Sequence, residues 1–364
     1  IRRPHDPALV TFTSGSSGTP KGANRDSQFL ESQHRALQHE FPYRDSDIDL
    51  SMFPVFALNN LARGITTVIP DISFGEVASV SGPKLLSTFL KHQISTCTAS
   101  PPLIDALAHQ HDRSSTPLPL RRILVGGAPI SDEQLEHWRR SFPEVEVQVV
   151  YGSTEAEPVA HIEGSERLAI TKRSSALGYC VGRVSTLCAA KVVKITRGPL
   201  ATDDEALADI AVPPQEIGEL VVSGAHICRD YFRNEAAVRE NKIVTPAGEV
   251  WHRMGDTGYF DAEGCFWLAG RVHSTVVSRG RVYHAQLIEQ VAQRASAEIR
   301  RCALLGVPRE DVKTAPLLLI ETKLPADRWD ALRQSISTAL RNAAMEVDEI
   351  AFTGLPLPTD PRHN

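Results

Sequence analysis

Short apolar runs, each closed by glycine or a hydroxyl residue and followed by a stretch of helical periodicity, recur along most of the 364 residues. This alternation directs the chain to an α/β architecture. Residues 8–13 form the first run, and residues 27–39 the first helical stretch. Residues 122–125 end in Gly126-Gly127. Ser131 with Gln134 three positions on is a capping-box pattern, and Leu135, Trp138 and Phe142 supply the helical face behind it. Residues 146–150 read as a strand that stops at Tyr151-Gly152, and residues 218–224 as a strand between glycines. Residues 197–216, rich in Pro, Asp and Ala, read as a long surface excursion.

Near residue 271 the pattern changes. A helix over 285–295 carries Leu287, Ile288, Val291 and Ala295 on one side. Strands follow at 302–307 and 317–322, then a helix over 327–344 with Trp329, Leu332, Ile336 and Leu340 on one face, then a strand at 349–353. We therefore expect a large core over 1–271 and a small, mobile C-terminal α+β domain over 272–364.

Composition removes several classes. With 42% hydrophobic residues the chain can bury a large core. Its 44 acidic and 39 basic residues give a net charge of −5 with no block of one sign, so no general nucleic-acid surface is indicated and any anion site is local. No apolar run approaches the ~20 residues of a membrane span. The six cysteines are scattered without a CxxC pair, which argues against a zinc site or disulfide framework and fits the reduced thiols of a cytoplasmic protein. Residue 1 is Ile, no signal-peptide pattern follows, and the last residues close no element, so a piece of a longer polypeptide is expected. Oligomeric state is not legible.

The most informative stretch is Thr13-Ser14-Gly15-Ser16-Ser17-Gly18-Thr19-Pro20-Lys21-Gly22, directly after the first strand. Glycines let backbone N–H groups approach an anion, hydroxyls add donors and Lys21 adds charge. Such a loop suits a triphosphate. It is not a Walker A loop, because Pro20 precedes Lys21 and Gly22 follows it.

In this loop the chain resembles the adenylate-forming superfamily of acyl-CoA ligases, peptide-synthetase adenylation domains and luciferases. Further signatures follow in that family's order: Gly126-Gly127-Ala128-Pro129, Tyr151-Gly152-Ser153-Thr154-Glu155, the strand at 218–224, Gly255-Asp256-Thr257-Gly258, and Gly270-Arg271. The resemblance implies ATP-dependent activation of a small-molecule carboxylic acid as acyl-AMP. The loop from Thr13 to Lys21 would hold the β- and γ-phosphates. Gly127 and Ala128 on one side and Tyr151 on the other would enclose adenine. Thr154 would touch the α-phosphate, Glu155 would bind Mg²⁺, and Asp256 with Arg271 would hold the ribose. Taken singly, Glu155 reads as a solvated carboxylate, Asp256 as a turn residue and Tyr151 as core packing. The family places its acyl-pocket wall at residues 52–60, here an apolar and aromatic run with Phe53, Phe56 and Asn59, and core packing is the competing reading.

Residues 54–61, 154–159, 251–256 and the tail 360–363 are similar to the β-lactone synthetases of bacterial olefin biosynthesis. Those enzymes adenylate a long-chain β-hydroxy acid, whose own hydroxyl then displaces AMP without CoA. A fatty acid–CoA ligase is the runner-up, with CoA as co-substrate, and a non-catalytic nucleotide-binding fragment is the third reading. His273 stands where ligases carry the Asp or Lys of the hinge, residues 276–280 lack the usual isoleucine–lysine pair, and a His common near Asp26-Ser27 in relatives is missing. Relatives also have an N-terminal region before the phosphate loop and a catalytic Lys just after the tail, and neither is found in this sequence. The expectation is a partial core, with reduced or absent turnover.

Overall fold

The computed structural model describes residues 6–13, 20–73, 77–174, 176–196, 198–200, 204–310 and 312–358. The chain opens with an antiparallel hairpin of β1 (Pro7–Thr13) and β2 (Lys21–Asp26), in which Thr13 faces Lys21 across the ladder. Asp26 then caps α1 (Ser27–Glu40): its carboxylate accepts from the Phe29 amide at 2.7 Å and satisfies one open donor of the first turn.

A parallel half-sheet follows. Its elements alternate as β3 (Ile48–Ser51), α2 (Pro54–Arg63), β4 (Thr66–Val68), α3 (Gly82–His92), β5 (Thr96–Ala99), α4 (Pro101–Ser114), β6 (Arg122–Gly126), α5 (Asp132–Ser141) and β7 (Glu146–Ser153). The strands lie in the order β4-β3-β5-β6-β7, all parallel to their neighbours. The Ser131–Gln134 capping box forms as the sequence suggests. Behind it, Leu135 and Trp138 of α5 bury completely with Leu103 and Leu107 of α4 against Ile123. Each such leucine contributes ~1.5–3 kcal/mol of burial.

At β7 the sheet changes character. The strand runs on through Tyr151 and Gly152 to Ser153, three residues past the expected stop, because β8 (Ala156–Glu163) folds back and supplies an antiparallel partner. After α6 (Gly164–Arg173) come β9 (Tyr179–Val184), β10 (Ala189–Val193), α7 (Asp204–Asp209), β11 (Gly218–Ser223), α8 (Glu235–Asn241), β12 (Lys242–Val244), β13 (Val250–Phe260) and β14 (Cys265–Arg271). They extend the sheet antiparallel in the order β8-β9-β14-β13-β11-β10, with β12 paired to β13, giving 12 strands among the described residues. The expected surface excursion is only partly that. Leu207 of α7 is fully buried with Val193, Val221, Ile243 and Trp251, so apolar docking anchors the segment.

The remaining elements are the hairpin β15 (Val276–Ser278) and β16 (Arg281–Tyr283), then α9 (Ala285–Arg294), β17 (Ile299–Val307), β18 (Ala315–Thr322), α10 (Trp329–Asn342) and β19 (Glu349–Thr353). β17, β18 and β19 form a second sheet, over which Ile288, Val291, Leu318, Ile320 and Ile336 build a separate apolar cluster. Leu177 packs on this cluster, and the Gly178 amide donates to Gln290 Oε1 at 2.9 Å. The tail at 360–363 lies outside the described residues. Among the described residues no helix is long and apolar enough to cross a membrane.

Candidate active site

The carboxyl ends of β3, β6 and β7 carry Phe53, Gly126-Gly127 and Tyr151-Gly152, the position where open α/β sheets bind ligands. Glycine is forced at two of these points. A Cβ on Gly126 would lie 2.4 Å from the Val150 carbonyl oxygen, and Gly127 has φ of +81° with the Phe53 ring 3.3 Å from its ideal Cβ position. Ala128 is half-buried beside it.

Tyr151 and Asp256 meet here. The Tyr151 hydroxyl donates to Asp256 Oδ2 at 2.6 Å, and Arg271 Nη1 donates to Oδ1 at 2.6 Å. Asp256 and Arg271 are directly paired in the β13–β14 register. The Gly255-Asp256-Thr257-Gly258 motif is thus strand, not turn, with Gly255 bent to φ of +66°. Burial raises the Asp256 carboxyl above its ordinary value against the pull of Arg271, and burial with the adjacent Asp256 charge pushes the Tyr151 phenol well up.

Thr154 and Glu155 form the turn between β7 and β8. Arg25, buried on β2, donates to the Thr154 carbonyl at 2.6 Å and to Gln33 Oε1 at 3.2 Å. Glu155 is 7% exposed. Its Oε1 accepts from the Tyr231 hydroxyl at 2.8 Å, and its carbonyl accepts from the Cys228 amide at 2.7 Å. Burial works against its charged form, but His252, Lys242 and the Tyr231 hydroxyl prevail and hold the carboxyl below its usual value. Ser153 beside it places Oγ 4.0 Å from Met254 Sδ.

Lys21 begins β2 and is 8% exposed. Its Nζ donates to Asn241 Oδ1 at 3.2 Å and lies 5.7 Å from the Tyr231 ring centroid. Thr13, opposite it, has its hydroxyl buried without a hydrogen-bond partner. Ser14, Gly15, Ser16, Ser17, Gly18 and Thr19 lie outside the described residues.

Two polar clusters result: Tyr151 and Arg271 both bond to Asp256, and Glu155 and Lys21 both meet Tyr231, the two being linked along the chain by residues 151–155. Of the substrate-pocket residues, Phe53 lies beside Gly127. The Phe56 ring centroid lies 6.2 Å from that of Phe53 and the side chain packs with Leu37, Phe41 and Val150, while Asn59 Oδ1 lies 2.8 Å from His34 Nδ1 on α1. His273 is exposed in a 3-10 turn, Val272–Ser274, directly after Arg271. Tyr231, Lys242, Asn241, His252 and Arg25 were not singled out from sequence. One signal was available: Lys242 is a charge in an otherwise apolar short strand.

The residues present fit a nucleotide with a divalent cation. Glu155 Oε2 makes no hydrogen bond to any other described residue, and the Thr13 hydroxyl, just before the loop in sequence, is buried without a partner. Among the described residues no group of three or more His, Cys, Asp or Glu could hold a metal unaided, so phosphate oxygens would complete the hard oxygen set that Mg²⁺ takes.

Residues 1–232 match the model of the AMP-binding enzyme family, and the chain belongs to that family. It is 33% identical to an olefin beta-lactone synthetase of Xanthomonas campestris pv. campestris over 99% of this chain and 65% of that protein. A protein of the same description from Stenotrophomonas maltophilia is also 33% identical, with 99% and 65% covered. The chain thus spans about two thirds of these curated relatives' length, 65% in both. Its fold is that of O-succinylbenzoate Coenzyme A Synthetase from Bacillus subtilis, solved in complex with ATP and magnesium ion: TM-score 0.74, 18% identity, covering 100% of this chain and 69% of that one.

Proposed function

We propose that the chain carries out ATP-dependent adenylation of a long-chain fatty acid bearing a β-hydroxyl, followed by closure to a β-lactone. The observation carrying this reading is the bonding of Tyr151 and Arg271 to Asp256, Tyr151 being on the strand that leads directly into the Thr154-Glu155 turn, where Tyr231 brings Glu155 and Lys21 together. A lysine and a carboxylate around one tyrosine, together with a buried ribose-type acceptor, suit a nucleoside triphosphate. Similarity to the two beta-lactone synthetases supports the product.

In the first step the acid's carboxylate oxygen bonds to the α-phosphorus, and the bond to the bridging oxygen breaks, its electron pair leaving with pyrophosphate. Lys21 and the donors of the loop would offset the phosphate charge, Thr154 would sit at the α-phosphate, and Asp256 with Arg271 would hold the ribose. A divalent cation bound through Glu155 would add positive charge at the phosphate oxygens. In the second step the β-hydroxyl oxygen bonds to the acyl carbonyl carbon, its proton passes to solvent, and the acyl carbon–oxygen bond of the mixed anhydride breaks, its electron pair leaving with AMP. Phe53 would border the acyl chain near the reacting end. Residues 1–271 and 272–364 would act as two units that rotate about His273 between steps.

The test is pyrophosphate release from ATP over a panel of fatty and β-hydroxy fatty acids, with products resolved by mass spectrometry. Release with a β-hydroxy acid and lactone formation without CoA is expected. Thioester formed only when CoA is added would replace the second step by CoA ligation, and no release with any acid would leave a nucleotide-binding fragment.

A further inference from the structure

Glu155 is fixed by more than its own turn. The chain from Ile227 to Phe232 is sewn between that turn and β2: Ile227 bridges Ala156, the Asn24 amide donates to Asp230 carbonyl at 3.2 Å, and the Phe232 amide donates to Gly22 carbonyl at 2.8 Å. Within it, the Cys228 amide holds the Glu155 carbonyl, and the Cys228 carbonyl accepts from Lys242 Nζ. Tyr231 holds the Glu155 side chain through its hydroxyl. The Lys242 ammonium lies 5.3 Å from the Tyr231 ring centroid, and Lys21 approaches the same ring at 5.7 Å. Lys242 and His252 face each other in register on β12 and β13, and His252 Nδ1 lies 3.2 Å from the Asn241 carbonyl. The Glu155 carbonyl is thus held by the Cys228 amide and its carboxylate by Tyr231, both within one six-residue segment that Lys242 anchors through the Cys228 carbonyl.

We infer that Tyr231 and Lys242 are positioning residues that aim the Glu155 carboxylate at a divalent cation carried by the triphosphate. This rests on the adenylation reading above. A hydroxyl on Oε1 fixes the rotation of the carboxylate, so Oε2 points in one direction. The lysine does two things at once. It holds the carbonyl of Cys228, whose amide keeps the turn in place, and it stabilises the tyrosine ring from which the hydroxyl projects. A merely structural Lys242 would cost stability when replaced and leave the cation's contribution to nucleotide affinity untouched.

Isothermal titration of ATP into the full chain, once with Mg²⁺ and once with EDTA, reads that contribution directly. Tyr231→Phe removes one oxygen and keeps the ring. It is expected to cut the affinity gained from Mg²⁺ by about tenfold, the loss of a hydrogen bond to a charged group, while metal-free affinity stays within about twofold. Lys242→Met is expected to act in the same direction, and Lys242→Arg to restore most of the effect. If Lys242→Met does not fold, Tyr231→Phe decides alone. An undiminished Mg²⁺ gain in folded Tyr231→Phe overturns this inference and leaves the nucleotide site standing. Wild-type chain that binds no ATP under either condition overturns the adenylation reading, and this inference with it.

Discussion

Tyr151 and Asp256 lie 105 residues apart in sequence, yet the phenol donates to the carboxylate at 2.6 Å, and this bond ties the last parallel strand of the sheet to the antiparallel half. It also leaves Asp256 with a donor on each oxygen, Tyr151 on one and Arg271 on the other. Replacing Tyr151 by Phe removes one of them at little change in volume. Calorimetric affinity for AMP is expected to fall about five- to tenfold, the worth of one hydrogen bond to a charged group. Unchanged affinity would show that Asp256 does not depend on the phenol to meet the nucleotide.

In the proposed site Lys21 and Glu155 would act on the same phosphate charge from two sides. Lys21→Ala and Glu155→Gln are each expected to lower pyrophosphate release by about a hundredfold or more, as removal of preorganised electrostatic groups does. Retention of full activity by the double variant would contradict both roles.

Arg253 and Glu219 form a buried pair on β13 and β11, with Arg253 Nη2 at 2.6 Å from Glu219 Oε2. The same guanidinium also donates to the carbonyls of Thr196 at 2.6 Å and Glu240 at 3.0 Å. Arg253→Met strands a buried carboxylate and should destabilise by about 3–5 kcal/mol in urea unfolding. Adding Glu219→Leu should recover a sizeable part of that loss. If the double variant is as unstable as the single, the cost resides in the lost carbonyl contacts instead.

His284 precedes α9, with Nδ1 buried and unpartnered, and burial lowers its pKa from 6.5 to about 4. The folded state therefore favours the neutral ring. Its full stability is present above pH 6.5 and declines as pH falls from there toward about 4, where protonation of the unfolded chain has drawn the balance over. The size of this effect is on the order of 3 kcal/mol. The urea midpoint followed across that window should fall less steeply in His284→Gln than in the parent chain.

Elements whose signals are local were legible in sequence. The capping box that starts α5 and the apolar face of α10 need only neighbours three or four positions away. The second sheet followed from alternation, although α10 begins at Trp329 after a 3-10 turn rather than at 327. The motif at 255–258 carried a turn as its rival reading because Gly, Asp and Thr are ordinary turn residues, and it is strand in the structure. In the fold Gly258 is glycine for another reason, since a Cβ there would stand 2.3 Å from the Trp267 carbonyl oxygen on β14. The cluster around Glu155 was beyond reach for a different cause. Tyr231 lies 76 residues from Glu155, and Lys21 lies 220 from Asn241, so no spacing rule joins them. The contacts of Phe56 and Asn59 with α1 were not legible, because an apolar helix shows its composition but not which way it is turned.

β7 bonds in parallel to β6 on one side and antiparallel to β8 on the other, and Tyr151 is on it. A strand shared in this way cannot open without fraying both flanks. Amide protons of Val149 and Val150 should then rank among the slowest in the chain to exchange with deuterated solvent, and splitting the polypeptide within β7 should yield two fragments that regain the site only when mixed.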